Sequence, residues 1–377
     1  MEKDTIQKNN RINGSESYAK AVVCIIAGLY VLLSLFCFLK PQAEYSFSER
    51  RKLAQMPKLT WETLKTGEFA NKTEEYVVDQ FPMRDEFRSF KSHFSLGVMQ
   101  KQDTNGIYVK DGYLCKAEYP MDDASIKRAA GIFEKIYTKY LQDADVAAYI
   151  TVVPDKNYFL ADSSMLSMDY AAFFDLVYES TPFLHPIAIE GMLDLTDYYK
   201  TDTHWKQENI IDTAKTLAEG MNVPFAGEFV FKKAEEPFYG VYYGQAGLAL
   251  AADGITYCTN DVLEKCAVYD YENNKEIPLY DLSKTEGKDP YEMFLGGNIS
   301  LVTIENAQSL SEKELVVFGD SFSRSLLPLL AESYRKITLI DIRYLPSEYI
   351  GRYIEFNGQD VLFLYSTSVL NNSITLK

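Results

Sequence analysis

Residues 316 to 325 read VVFGDSFSRS, and residues 201 to 205 read TDTHW. Between them they hold a serine, a histidine and a carboxylate, the side chains that together make a hydroxyl nucleophilic. Ser321 follows a run of β-formers ending in Gly-Asp and opens an amphipathic segment. Its hydroxyl would stand at a strand tip, beside the free N–H groups of a helix's first turn. The same letters also suit plain capping, because Ser and Asp are favoured at helix N-termini. The choice between these readings rests on finding a base elsewhere in the chain. Only three histidines are available. His93 sits in a charged helical stretch with no suggestive partner, and His185 lies beside a proline in a loop. His204 has Asp202 two residues ahead of it, and in an extended segment such residues project to one side. Asp202 can then hold Nδ1 while Nε2 faces a serine. Equally, Asp202 or Thr203 can cap the following helix while His204 merely packs. A third piece is FLGGNIS, residues 294 to 300. There the Gly297 N–H and the Asn298 carboxamide could meet a developing oxyanion, or the glycines could simply turn the chain into strand SLVTI.

These residues need elements to position them. The run VAAYITVVP (146 to 154) is apolar throughout and ends in proline, as expected of a strand buried on both faces. Residues 124 to 142 and 207 to 220 carry apolar stripes at helical spacing. NGIYVKDGYL reads as a short hairpin with an Asp-Gly turn. From 314 onward the pattern alternates: strand ELVVF, helix 322 to 334, strand ITLIDI, a helix near 347 to 356, and strand DVLFLYS. Such alternation implies an α/β fold with a parallel sheet flanked by helices. In that architecture functional residues gather past the carboxyl ends of the strands, which is where Ser321 falls. Residues 222 to 300 are rich in Gly and Tyr and read as an accessory insertion outside the α/β core.

Residues 21 to 39, AVVCIIAGLYVLLSLFCFL, are uncharged and bracketed by Lys20 and Lys40. As a helix they span roughly 28 Å, enough to cross a bilayer core. No Ala-x-Ala-like cleavage site follows, so an uncleaved anchor is expected. Lys3, Lys8, Arg11 and Lys20 precede it and favour a cytoplasmic N-terminus, with everything after the anchor outside the cell. The expected order is a cytoplasmic tail (1 to 20), the anchor (21 to 39) and a stalk or helical collar (40 to 100). An external domain (101 to 377) follows, with the insertion at about 222 to 300. A net charge of −16 argues against nucleic acid as a partner. Cysteine spacing offers no zinc pattern, and Cys258 and Cys266 could bridge a hairpin or stay free. The chemistry described requires no cofactor.

TDTHW, GGN and GDSF, in that order behind an N-terminal anchor, resemble the DHHW-type proteins of Gram-positive bacteria. They also resemble the SGNH-hydrolase-like domains of the alginate O-acetylation proteins. FSERRKLAQMP, DQFPMRD, VVPDKNY and LAESYRKITLIDIRYL extend the likeness over most of residues 45 to 377. The resemblance implies an α/β/α sandwich with a rearranged motif order, the D-x-H preceding the serine. It implies Ser321 as nucleophile, His204 as base and Asp202 as its orienting acid. Gly297 and Asn298, with the Ser321 amide, become candidate oxyanion donors. Thr203 stands where the family has its first histidine. The implied activity is O-acetyl transfer to hydroxyls of a cell-surface or secreted polysaccharide through an acyl-serine. A membrane-bound O-acyltransferase would be the acetyl donor. An acetylesterase with the same triad, or a non-catalytic polysaccharide-binding or assembly protein, are the alternatives.

Overall fold

The computed structural model describes every residue except 1, 47, 161 to 164 and 249, and for residues 2 to 17 and 38 the backbone alone. The side chains of Lys3, Lys8 and Arg11 therefore lie outside the described set. The chain divides into two compact units, Met1–His93 and Phe94–Lys377.

The first unit opens with helix α1 (Glu2–Leu39). Within it Tyr18–Cys37 has a mean hydropathy of 2.3 and is long and apolar enough to cross a membrane. A two-stranded hairpin follows, β1 (Tyr45–Ser46) with β2 (Arg51–Lys52), then helices α2 (Trp61–Lys65) and α3 (Glu68–Asp79). Helix α4 (Arg84–Gly97) begins here and runs past the end of the unit. Pro57 and Gly67 bound α2, and Gly67 takes the left-handed conformation that starts α3. Arg51 grips the Asp79 carboxylate with both terminal guanidinium nitrogens.

In chain order the second unit begins with hairpin β3 (Ile107–Lys110) and β4 (Tyr113–Lys116), turned at Asp111-Gly112. Then come α5 (Asp123–Ile136), β5 (Ala147–Val153), α6 (Lys156–Leu160), α7 (Tyr170–Ser180), β6 (His185–Pro186) and α8 (Ile211–Gly220). Next are β7 (Val230–Phe238), α9 (Val241–Ala246), β8 (Asp253–Thr259), β9 (Ala267–Asp270) and β10 (Lys275–Ile277). The chain closes with β11 (Leu301–Glu305), β12 (Glu314–Gly319), α10 (Phe322–Leu330), β13 (Lys336–Ile340), β14 (Asp360–Ser366) and α11 (Thr367–Asn371). Eight strands form one sheet in the order β10-β9-β11-β13-β12-β14-β5-β6. From β13 to β6 every pairing is parallel, while β11, β9 and β10 add an antiparallel edge.

Alternation along the parallel strands builds two cores, one per face. Leu315, Val317, Leu362 and Leu364 point to the side covered by α8 and α10. Val316, Phe318, Val361 and Phe363 point to the side covered by α5 and α7. This is the helix-flanked parallel sheet expected from the alternating pattern, and the α/β/α sandwich that the resemblance implies. Burying a side chain such as Leu362 or Phe363 contributes about 1.5 to 3 kcal/mol, so the central strands are held from both sides.

Three local expectations need correction. Residues 347 to 356 form only a short 3-10 turn, Ser347–Arg352, entered from Pro346. The helix expected over 322 to 334 ends at Leu330, with Pro328 in its last turn. Segment 222 to 300 lies only partly outside the α/β core: β7 and β8 pair as a separate sheet, but β9 and β10 extend the central one. All five cysteines are free, so Cys258 and Cys266 form no bridge.

Candidate active site

β12 delivers Ser321 to the carboxyl edge of the sheet. Gly319 is required at the end of the strand, since a Cβ there would run into the Ser323 hydroxyl. Asp320 is buried, and its carboxylate accepts the N–H of Phe322 (3.0 Å) and of Ser366 at the end of β14 (2.8 Å). Asp320 thus clamps the turn to the neighbouring strand. Ser321 occupies the N-cap position of α10, yet its side chain makes no capping hydrogen bond. Its Oγ lies 2.7 Å from Nε2 of His204 instead. Capping therefore does not account for this serine.

His204 reaches that position from a tight loop closed by a bridge between Tyr198 and Trp205. The loop is bent where the D-x-H spacing suggested extended chain. Asp202 turns back on its own segment, Oδ1 accepting both the His204 N–H (3.1 Å) and its Nδ1–H (2.5 Å). Oδ2 accepts the Val241 N–H at 2.8 Å, at the start of α9. Gly240 is needed beside it, because a Cβ would collide with the Asp202 backbone. Asp202 is fully buried, and His204 is 8 % exposed. With Nδ1–H given to Asp202, Nε2 is left to accept the Ser321 proton. The following residues lock this loop onto the serine's helix. The Trp205 indole N–H donates to the Phe322 carbonyl (3.2 Å) and the Ser325 hydroxyl (2.9 Å), and the Gln207 amide donates to the Ser325 carbonyl (2.7 Å).

Tyr291 lies flat on the His204 imidazole, with ring centroids 3.8 Å apart and planes 7° from parallel. Its hydroxyl pairs with that of Ser325 at 2.8 Å. Both Tyr291 and Val241 come from the segment read as accessory. Neither carries a local signature: a backbone N–H can come from any residue, and one tyrosine stands among many. Stacking of this kind contributes about 0.5 to 1.5 kcal/mol. Tyr291→Phe should keep the ring and nearly all the activity. Tyr291→Leu should lower kcat up to roughly tenfold with KM little changed; equal kcat in both variants would show that the stacked ring does not matter.

The GGN loop lies near the same helix, though not as the sequence suggested. Gly297 donates its N–H to the Phe294 carbonyl at 3.2 Å, so that donor belongs to the turn and does not face an oxyanion. Asn298 is exposed, with its carboxamide nitrogen 3.5 Å from Glu292. Arg324, buried in α10, holds the loop by donating to the Ile299 carbonyl at 2.7 Å. Among the described residues, the Ser321 N–H has no acceptor.

Behind the Asp202 loop lies a buried polar group at the end of β5. Lys156 donates its ammonium to the carbonyls of Tyr199 (2.9 Å) and Lys200 (3.3 Å), bracing the loop from beneath. Burial brings its pKa down to about 8. Asp155 accepts the hydroxyls of Tyr170 (2.8 Å) and Thr367 (2.6 Å). Burial, with Glu118 adding to it, pushes its carboxyl up to about 6. A carboxyl whose folded pKa is raised contributes stability fully present below the unfolded value of 3.8 and lost as pH rises through about 6. The stability of the wild type relative to Asp155→Asn should therefore fall between pH 4 and 6, as read by urea unfolding. A flat difference would refute the buried titration.

No protein-family model and no curated protein matches the chain. Solved structures do. A DHHW family protein from Eubacterium siraeum is similar over 71 % of this chain and 93 % of its own, at 20 % identity and a TM-score of 0.55. Bacillus cereus PatB1, solved with a sulfonyl adduct, is similar over 70 % of this chain and 95 % of its own, at 17 % identity and a TM-score of 0.57. The O-acetyltransferase domain of Pseudomonas putida AlgJ aligns over 71 % and 92 %, at 13 % identity and a TM-score of 0.44. The first two likenesses establish the fold: the second unit is an SGNH-hydrolase-like α/β/α sandwich of the kind found in DHHW-type proteins.

Proposed function

We propose that this protein is a membrane-anchored O-acetyltransferase that acts outside the cell on hydroxyls of a cell-surface or secreted polysaccharide. The observation that carries the reading is the unbroken relay from Asp202 through His204 to Ser321, with contacts of 2.5 and 2.7 Å at the two ring nitrogens. Ser321 Oγ attacks the acetyl carbonyl while Nε2 of His204 takes its proton. Buried Asp202 stabilises the imidazolium that results. The oxyanion forms beside the Ser321 N–H at the start of α10, and Asn298 becomes a second donor only when its carboxamide leaves the Glu292 carboxylate. Collapse returns the proton to the leaving group and leaves acetyl-Ser321. A sugar hydroxyl, deprotonated by His204, then attacks the ester carbon and releases Ser321.

The apolar helix at Tyr18–Cys37 supports an anchor, and the basic residues before it support an N-terminus in the cytoplasm. With residues 101 to 377 outside, cytosolic acetyl donors are out of reach. A membrane-bound O-acyltransferase would hand the acetyl group across. The test is acetylation of the cell's own polymer with wild type and Ser321→Ala, alongside hydrolysis of a chromogenic acetyl ester by the purified protein. Loss of polymer acetate and of ester turnover in the variant supports the reading. Ester turnover without any effect of sugar acceptors would reassign the site as an esterase, and no turnover at all would leave a binding protein.

A further inference from the structure

We infer that residues 56 to 90 form a collar lying in the headgroup region of the bilayer, with Trp61, Leu64, Phe87 and Phe90 turned toward lipid; this rests on the anchor reading above. The first observation is a tether. The Tyr76 hydroxyl on α3 donates to the Cys37 carbonyl in the last turn of α1 at 3.4 Å, and Cys37 is buried there. One turn on, fully buried Gln80 exchanges hydrogen bonds with the Ala43 N–H (3.0 Å) and carbonyl (2.8 Å), and donates to the Ala54 carbonyl (3.1 Å). Asp79 holds the Ala54 N–H as well as Arg51. The chain leaving α1 is thus fastened to the end of α3 and cannot swing away from it. Lys40 ends the uncharged stretch, which sets this junction at the membrane boundary. α3 itself is only about 18 Å long, so α2 and the start of α4 lie within one short helix of that level.

The second observation is what the collar exposes. Trp61 is 73 % exposed and Phe90 68 %, and Leu59, Leu64, Met83 and Phe87 are also open. Single exposed apolar side chains are ordinary, but this many large ones in 35 residues are costly in water. Trp and Phe beside charged neighbours suit the bilayer interface, where the ring is buried and the flanking charges stay wet. Phe87 and Phe90 stand three apart on α4, among Arg84, Asp85, Arg88 and Lys91. Lys65 lies over the Trp61 ring at 5.5 Å, leaving an amphipathic pair.

The chain carries its own reporter. It has two tryptophans, and Trp205 is wholly buried and hydrogen-bonded in the second unit. Lipid-borne quenching therefore reads Trp61. Full-length protein is reconstituted in phosphatidylcholine–phosphatidylglycerol vesicles, and resistance to a carbonate wash is checked first. Vesicles with acyl chains brominated near the headgroup should cut the lipid-accessible emission roughly twofold, and Trp61→Phe should remove that effect. A tryptophan placed by Phe90→Trp in the Trp61→Phe background should restore it. Carbonate-resistant protein whose Trp61 is quenched by aqueous iodide but not by brominated lipid overturns the collar alone. Protection from both quenchers overturns it too, and points to a second copy covering the patch. Release by carbonate sinks the anchor reading and the collar with it.

Discussion

Ser321→Ala should lower turnover of an acetyl ester by about 10⁴-fold or more while leaving the fold intact. The size follows from the site's construction. Ser321 Oγ is the atom that faces Nε2 of His204 at 2.7 Å, and among the described residues no other hydroxyl bonds to that nitrogen. Without it, water attack helped only by the remaining donors is all the site can offer. The structural cost is small. The side chain caps nothing, is half-buried, and has one neutral hydrogen bond, worth about 1 kcal/mol. Asp320 keeps the turn through Phe322 and Ser366 whatever stands at 321. Thermal unfolding and circular dichroism should match the wild type within a few degrees, and a sulfonyl fluoride should add its mass to the wild type but not to the variant. Such reagents favour activated hydroxyls. A variant that keeps a tenth of the wild-type rate would remove Ser321 from the mechanism.

The route from sequence to this site was uneven, for physical reasons. Strands β5, β12 and β14 are buried on both faces, so they announce themselves as unbroken apolar runs ended by Pro154, Gly319 or a Ser-Thr turn. The contact of Asp202, His204 and Ser321 was legible because a proposed nucleophile, base and acid must be particular residue types and histidines are scarce here. The supports were not. β9 has four residues and the edge strand β10 only three, with Ala267, Lys275 and Glu276 exposed, and neither carries an apolar run. Val241 acts through its backbone, Tyr291 through a ring face, and Lys156 through carbonyls two and three residues before Asp202. Such contacts are set by tertiary packing and leave no pattern at fixed spacing. Gly297 shows the converse error: its residue type suits an oxyanion donor, but the turn that glycine permits consumes the N–H.

Asp202→Asn should cost about 10³- to 10⁴-fold in kcat with little change in KM, and here the fold pays too. The carboxylate is fully buried and faces N–H donors on both oxygens: Nδ1 and the backbone of His204 on one, Val241 on the other. An ionised carboxylate only accepts, so it satisfies them all. Asparagine has one acceptor oxygen and must turn its NH₂ toward one side. Turned to His204, it forces Nδ1 to accept, which moves the ring proton to Nε2. That nitrogen can then no longer take the proton of Ser321. Turned to Val241, it sets two donors against each other in a dry site, a cost of about 1 to 3 kcal/mol. The variant should therefore be both slow and measurably less stable, unlike Ser321→Ala, which should be only slow. The two changes act on one relay, so the double variant should retain the residual rate of Ser321→Ala with no further loss. Steady-state kinetics of the three proteins, with urea midpoints for each, separate these outcomes. A rate for Asp202→Asn within tenfold of wild type would mean that His204 is oriented by the loop and Tyr291 alone, and that Asp202 is structural.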